Sequence, residues 1–302
     1  MPEDWQIGFK VKGLGAPERE IVFDDYILVR GVPGSDSSYI FFRFTPQNDE
    51  EKDRIRDDFI NVLTNIAQMY GLVTNVYVEA LLSSVTAKIS SEHHFGHTKY
   101  PPELGFVAVI EEEDRRNNLP LIEKTLAKYE SCKAIFQDKK KGFLKNAIDY
   151  YYRSLKGARL EERLIDLMIS LESLFSDQTQ ELRLKLSLRA SFLLSAEQES
   201  ELPHIFRNIY NLYDKRSKVV HGIKVVKLDE FEISALQKYV REAIKRFIHI
   251  EMPKEDILNL IDESVYDKEK RNELNRMVLE AINQWQISMK ANLRTKCSSC
   301  GH

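Results

Sequence analysis

From Leu119 onward the apolar residues of this chain recur at helical spacing, and that periodicity limits what it can fold into more than any other feature. Leu160, Leu164, Ile165, Leu167, Met168, Leu171, Leu174 and Phe175 follow the spacing over about four turns, and Asp177 marks the end. Ile205, Phe206, Ile209, Leu212 and Val219 form a second stripe, and a third runs from Leu228 through Leu236, Val240, Ile244 and Phe247. One segment departs from the pattern. Between Glu181 and Leu194, Leu182, Leu184, Leu186, Leu188, Ala190 and Phe192 alternate with polar residues as in a strand. It reads as helix because leucine, lysine and arginine favour helices and its neighbours are helical. Pro253 interrupts, and Lys254 to Met289 reads as one short and one longer amphipathic helix before a polar tail.

The first hundred or so residues read differently. Trp5, Ile7, Phe9 and Val11 alternate with polar residues, Ile21 to Val29 is an apolar run, and Tyr39 to Phe44 is rich in aromatic and β-branched residues. These are strand signals, separated by turn-forming stretches at Gly13 to Pro17 and Gly31 to Ser38. Asn48 followed by Glu51 resembles a capping box for a helix with Ile55, Phe59, Val62, Leu63 and Ile66 on its apolar face, closed by Gly71. Two more strands are expected within Thr74 to Ile89 and Gly105 to Ile110. Residues 1–118 therefore read as an α+β accessory or sensor domain ending in a charged linker, Glu111 to Asn118. Residues 119–252 form the main helical region, and 253–302 the C-terminal helices and polar tail.

With 302 residues, 43% of them hydrophobic, the chain can bury a sizeable core. It has no apolar run of about 18 residues, and its N-terminus is acidic, so no membrane partner is expected. Its three cysteines, Cys132, Cys297 and Cys300, are too few and too badly placed for a disulfide framework. A reducing, cytoplasmic setting is expected. The net charge of −3 points to no partner, but Ile205 to Ile250 carries ten Lys or Arg against five Asp or Glu. Lys133 to Arg163 carries nine against four. Such segments could attract a polyanion or form solvated helix faces.

The second stripe leads into Arg216-Ser217-Lys218-Val219-Val220-His221, followed by Gly222. Arginine stays charged and can grip a phosphate through parallel N–H donors, and histidine titrates near neutrality and can move a proton. Five helical steps turn about 500°, which leaves the two side chains roughly 140° apart on an unbroken helix. For both to reach one phosphate the helix must stop near Val220, and Gly222 sits where a helix C-terminal glycine would.

Three motifs in order, Leu171-Glu172-Ser173-Leu174-Phe175-Ser176, then Glu181 to Leu194, then Tyr210 to Gly222, resemble successive helices of an Apea-like domain of the HEPN superfamily. The likeness covers about Phe143 to Ile250, the arginine-to-histidine spacing alone being weak and the three motifs together more specific. The fold class expected is thus an α+β N-terminal region followed by an all-α HEPN-type helical bundle. The resemblance implies a homodimer whose arginine–histidine motifs meet across a shared cleft. It also implies metal-independent endoribonuclease activity in defence or stress response, needing no cofactor. The ribose 2′-hydroxyl would attack the adjacent phosphorus. By the same resemblance Arg216 would hold the scissile phosphate and His221 act as general acid or base. Glu172 would orient Arg216, and Tyr213 and Asp214 would flank the cleft. Lys215, Lys218 and Lys224 would contact RNA, and an antitoxin or other regulatory protein is a further partner. Many active relatives carry Asn, Asp or His where this chain has Ser217. Serine can donate a hydrogen bond but cannot share a proton in the same way. The alternative implied is a non-catalytic module that binds nucleotide, RNA or a protein.

Other candidates remain open. His93 and His97 have a spacing that suits a metal only on a helix, whereas Gly96, Pro101 and Pro102 suggest a loop. Cys297 and Cys300 form half of a structural zinc site to which His302 could add a ligand, or they belong to an unstructured tail. Lys139 to Lys141 with Tyr150 to Arg153 could serve single-stranded RNA, or the tyrosines could pack between helices. Phosphate-loop, dinucleotide-binding and helical His-Glu-x-x-His patterns are missing, which weakens ATPase, dehydrogenase and metalloprotease readings.

Overall fold

A computed structural model describes residues 5–12, 21–23, 27–31, 37–74, 85–88, 106–107, 119–177, 181–222 and 227–288, with those before Thr45 and those of 85–88, 106–107 and 119–123 given by backbone alone. The chain divides into two compact units, Met1–Glu130 with Lys290–His302, and Ser131–Met289.

In the first unit, helix α1 (Asp49–Thr74) starts where the Asn48 side chain accepts the Glu51 N–H at 2.8 Å. The Glu51 carboxylate accepts the Gln47 N–H at 2.6 Å, so the expected capping pair forms with its return bond one residue earlier. Gly71 does not close this helix. Every residue from Ile66 to Leu72 is buried, and packing on all sides holds Gly71 helical against its low propensity.

The expected α+β N-terminal region is corrected to a mostly helical chain. The residues described to the side chain are 85% helical and include no strand. Extended backbone does pair Trp5–Lys12 with Ser37–Phe44, and Ser37–Phe44 with Ile27–Gly31, both antiparallel. Backbone pairing alone does not make an α+β layer, which needs a sheet face buried beneath a helix. Apolar alternation signals extended backbone and says nothing of what covers it. The burial of α1 over Ile66 to Leu72 runs all round the helix, not along one sheet-facing stripe.

Helix α2 (Leu119–Gln137) crosses the boundary between the units. The second unit continues with α3 (Gly142–Lys156), α4 (Leu160–Phe175), α5 (Leu182–Leu194), α6 (Leu202–Val220), α7 (Glu230–His249), α8 (Lys254–Glu263) and α9 (Lys268–Ser288). Its core is built on α4, where Leu164, Leu167, Met168, Leu171, Leu174 and Phe175 are fully buried. Each such side chain contributes about 1.5–3 kcal/mol of apolar burial. The Ser170 hydroxyl on α4 donates to the Ala147 carbonyl on α3 at 2.7 Å, two small residues meeting at a close crossing. Phe247 of α7 packs edge-on against Phe175 at 5.4 Å and Phe143 at 6.0 Å. Lys254, at the start of α8, donates to the Ser173 and Ser176 carbonyls at 2.8 and 2.6 Å and so caps the C-terminal end of α4.

The alternating segment is helical, as propensity indicates. In α5, Leu184 is exposed, whereas Leu186, Arg189, Ala190, Leu193 and Leu194 are buried at helical intervals. Helices α5 and α6 form an antiparallel hairpin, since Arg183 near the start of one meets Asp214 near the end of the other at 3.3 Å. Helix α7 runs back along α6. Asn208 donates to the Tyr239 hydroxyl at 3.1 Å and Lys215 to Glu232 at 2.5 Å, so later residues of α6 meet earlier residues of α7. Asp229 and Glu232 complete a capping box at the start of α7. No helix among the described residues is long and apolar enough to cross a membrane.

Candidate active site

The site is built at the C-terminal end of α6. This helix ends at Val220, and Gly222 takes φ +73°, a left-handed conformation that costs glycine little. The sequence reading placed the stop there. What the stop does not do is swing His221 toward Arg216. His221 keeps helix-like φ −81° and its N–H donates to the Ser217 carbonyl at 3.0 Å, the bond an uninterrupted helix would make. Its Cα therefore still lies on the helix cylinder, and the angle of about 140° to Arg216 survives. His221 is exposed, and its ring has no hydrogen-bond or ion-pair partner among the described residues.

Arg216 faces inward. Its Nη2 lies 3.5 Å from Glu172 Oε1 on α4, with the two side chains only 22% and 20% exposed. That distance gives charge attraction without a directed hydrogen bond, for Glu172 Oε1 and Arg216 Nε are both inaccessible and have no hydrogen-bond partner. The guanidinium carbon stands 5.6 Å from the centroid of the Tyr213 ring, one turn earlier on α6. Burial raises the Tyr213 hydroxyl pKa, and the charge and hydrogen bonding of Glu172 raise it further. The phenol therefore stays protonated at neutral pH. Glu172, Tyr213 and Arg216 form one cluster.

Other expected site residues stand apart. Asp214 holds Lys218 at 2.7 Å and Arg183 at 3.3 Å, and hydrogen bonding to Lys218 keeps its carboxyl below the usual range. Lys215 is tied to Glu232 and donates to the Lys227 carbonyl at 2.9 Å. Two of the three lysines expected at RNA thus already have internal acceptors. Ser217 is half-buried, and its carbonyl serves the His221 N–H. Lys224, the histidines at 93, 94 and 97, and Cys297, Cys300 and His302 lie outside the described residues. Among the described residues no cluster of three His, Cys, Asp or Glu could hold a metal ion. Tyr151 is fully buried and Arg153 lies over the Tyr150 ring at 4.8 Å while pairing with Asp166, so packing accounts for much of the aromatic run.

Two features escaped sequence reasoning. Arg189, 2% exposed, donates to both oxygens of Asp262 at 2.8 and 2.6 Å, to Asp177 at 2.9 Å and to the Phe175 carbonyl at 2.7 Å. The nearest sequence hint was a cation at a core-facing position of α5. The second feature is a groove of about 870 Å³ between α7 and the start of α6, with Phe231 on its lining and 86% exposed. Its charged lining comprises Glu197, Glu201 and Glu242 against Lys238 and Arg246, so a polyanion would meet more carboxylate than cation. Arg246 is already held by Glu197 at 2.8 Å. RNA is poorly suited to this groove, and the α6 terminus remains the stronger candidate site. No protein-family model, curated protein or solved structure matches this chain.

Proposed function

We propose that the chain is a metal-independent endoribonuclease of the HEPN type that acts as a homodimer on RNA. The observation that carries this reading is the division of labour at the end of α6. Arg216 is anchored from behind by Glu172 and Tyr213, while His221 stands exposed at the C-cap. A fixed cation suits the developing charge on a phosphoryl group, and an accessible imidazole suits proton transfer. The 2′-hydroxyl oxygen would attack the adjacent phosphorus as a base removes its proton. The bond to the 5′-oxygen breaks, and an acid protonates that leaving group, which yields a 2′,3′-cyclic phosphate and a 5′-hydroxyl end. His221 would fill one proton-transfer role. Because about 140° separates the two side chains around one helix, a second copy is the natural source of the complementary group.

Purified protein in EDTA should cleave single-stranded RNA and leave cyclic-phosphate ends, and Arg216→Ala and His221→Ala should each abolish cleavage while the helical circular dichroism is retained. Wild-type protein that cuts nothing, or variants that cut as well as wild type, would refute the proposal.

The internal pairing of Lys215 and Lys218, with serine at 217, favours a second reading. Here the bundle is a non-catalytic module for nucleotide, RNA or a regulatory protein, and Arg216 is structural. Arg216→Ala would then weaken dimer or ligand affinity, and no product ends would form.

A further inference from the structure

We propose that Tyr213 is a positioning residue for Arg216, its ring fixing the plane of the guanidinium while Glu172 supplies the charge. The role deepens the nuclease reading and rests on it. Glu172 and Arg216 come from different helices and meet at 3.5 Å with no directed hydrogen bond between them. Attraction of that kind sets distance but leaves the guanidinium free to rotate. A catalytic phosphate grip needs orientation as well, because two parallel N–H donors must face the phosphoryl oxygens. No other charged neighbour on α6 supplies it. Asp214 is committed to Lys218 and Arg183, and Lys215 to Glu232.

Tyr213 stands where it can. Residues three apart on a helix share a face, and the ring centroid lies 5.6 Å from the Arg216 guanidinium carbon, within cation–π range. Restraint by the ring adds to attraction by the carboxylate, and the side chain's exposed part, about a fifth of it, remains for a ligand. The neutral phenol adds no competing charge. The ring, more than the hydroxyl, is the working part.

Tyr213→Leu, which removes the ring, should lower kcat for RNA cleavage about 10- to 100-fold, the scale of loss from slight misplacement of a catalytic group. KM should stay within about twofold, since uniform substrate binding is untouched. Tyr213→Phe should remain within about threefold of wild type in kcat, because the cation–π contact persists. A second readout does not depend on activity. The Arg216 Nε–H resonance, assigned by its loss in Arg216→Lys, should be distinct and slow to exchange in wild type and in Tyr213→Phe. It should average with the other arginines in Tyr213→Leu. Tyr213→Met replaces the Leu variant if that fails to fold. An unchanged resonance and kcat in the ring-less variant would overturn the proposal, as would a Phe variant that loses as much as the Leu variant. If wild-type protein cuts no RNA, the nuclease reading falls. The resonance then decides whether the ring restrains Arg216, upholding that restraint if it is lost with the ring and refuting it if not.

Discussion

Replacing Arg189 by methionine tests what holds α4, α5 and α8 together. Methionine keeps an unbranched apolar stem of similar reach, so the change removes the guanidinium while opening little cavity. Three acceptor groups lose their donor. Asp177 and Asp262 are 34% and 44% exposed and recover water, so each lost pair should cost no more than a surface ion pair, about 0–1 kcal/mol. The Phe175 carbonyl belongs to a buried residue at the end of α4, and leaving it without a donor costs about 1–3 kcal/mol. The expected loss is therefore about 3 kcal/mol, at the lower edge of that for breaking a wholly buried pair. With a urea dependence of about 1–3 kcal/mol per molar, the unfolding midpoint should fall by at least about 1 M. Arg189→Lys should be nearly as damaging, because one ammonium cannot serve two carboxylates and a carbonyl in fork geometry. Asp262→Asn should cost less than about 1 kcal/mol, its partner retaining Asp177 and the carbonyl. A methionine variant whose midpoint stays within about 0.3 M of wild type would refute the reasoning. An Asp262→Asn variant as unstable as Arg189→Met would show that the carboxylate, not the helix-end carbonyl, carries the cost.

Asp177 should make stability depend on acid. Hydrogen bonding to Arg189 holds its carboxyl down to about 2, below the usual 3.8. Because the folded value is depressed, the contribution is complete above 3.8 and is lost as pH falls through about 2. In urea titrations Asp177→Asn should be less stable than wild type near neutrality, and the gap should close toward that lower limit; a gap independent of pH would sink the assignment. At Gly222 a built Cβ meets nothing within 4 Å, so Gly222→Ala tests backbone strain alone at φ +73°. It should cost about 1 kcal/mol, read from the urea midpoint, and an unchanged midpoint would mean the left-handed turn does not fix the helix stop.

Local signals were legible and long-range ones were not. Helix α6 ends where Gly222 said it should, because a left-handed residue after a helix is a property of a few adjacent positions. Helix α5 required propensity to outweigh apolar alternation, and its buried set explains why that succeeded. Arg189 and Ser187 point inward and Leu184 outward, the reverse of what hydrophobicity alone suggests. The sequence could not show that Arg189 would be satisfied by Asp262, 73 residues away, because the charge pattern of a helix does not name its partner. Nor could apolar alternation before Thr45 establish a covered sheet.

The same division governs the candidate site. Spacing put Arg216 and His221 on one helix and placed its end, but whether they share a face turns on one backbone bond, the His221 N–H to the Ser217 carbonyl. Had that bond been broken at Val220, His221 could have swung round to Arg216 within a single chain. With the bond intact, Arg216 looks inward to Glu172 and Tyr213 while His221 looks out. On the proposed reading, chemistry that needs both assembles across two copies. Under that reading a mixed dimer of Arg216→Ala and His221→Ala chains retains no complete site if each site draws its two residues from the same chain. It retains one intact composite site, opposite a doubly defective one, if they come from different chains. Cleavage by the mixed dimer therefore separates the two arrangements, appearing only when the sites are composite. Enforced monomers give a second check: they would keep cleavage in the first case and lose it in the second.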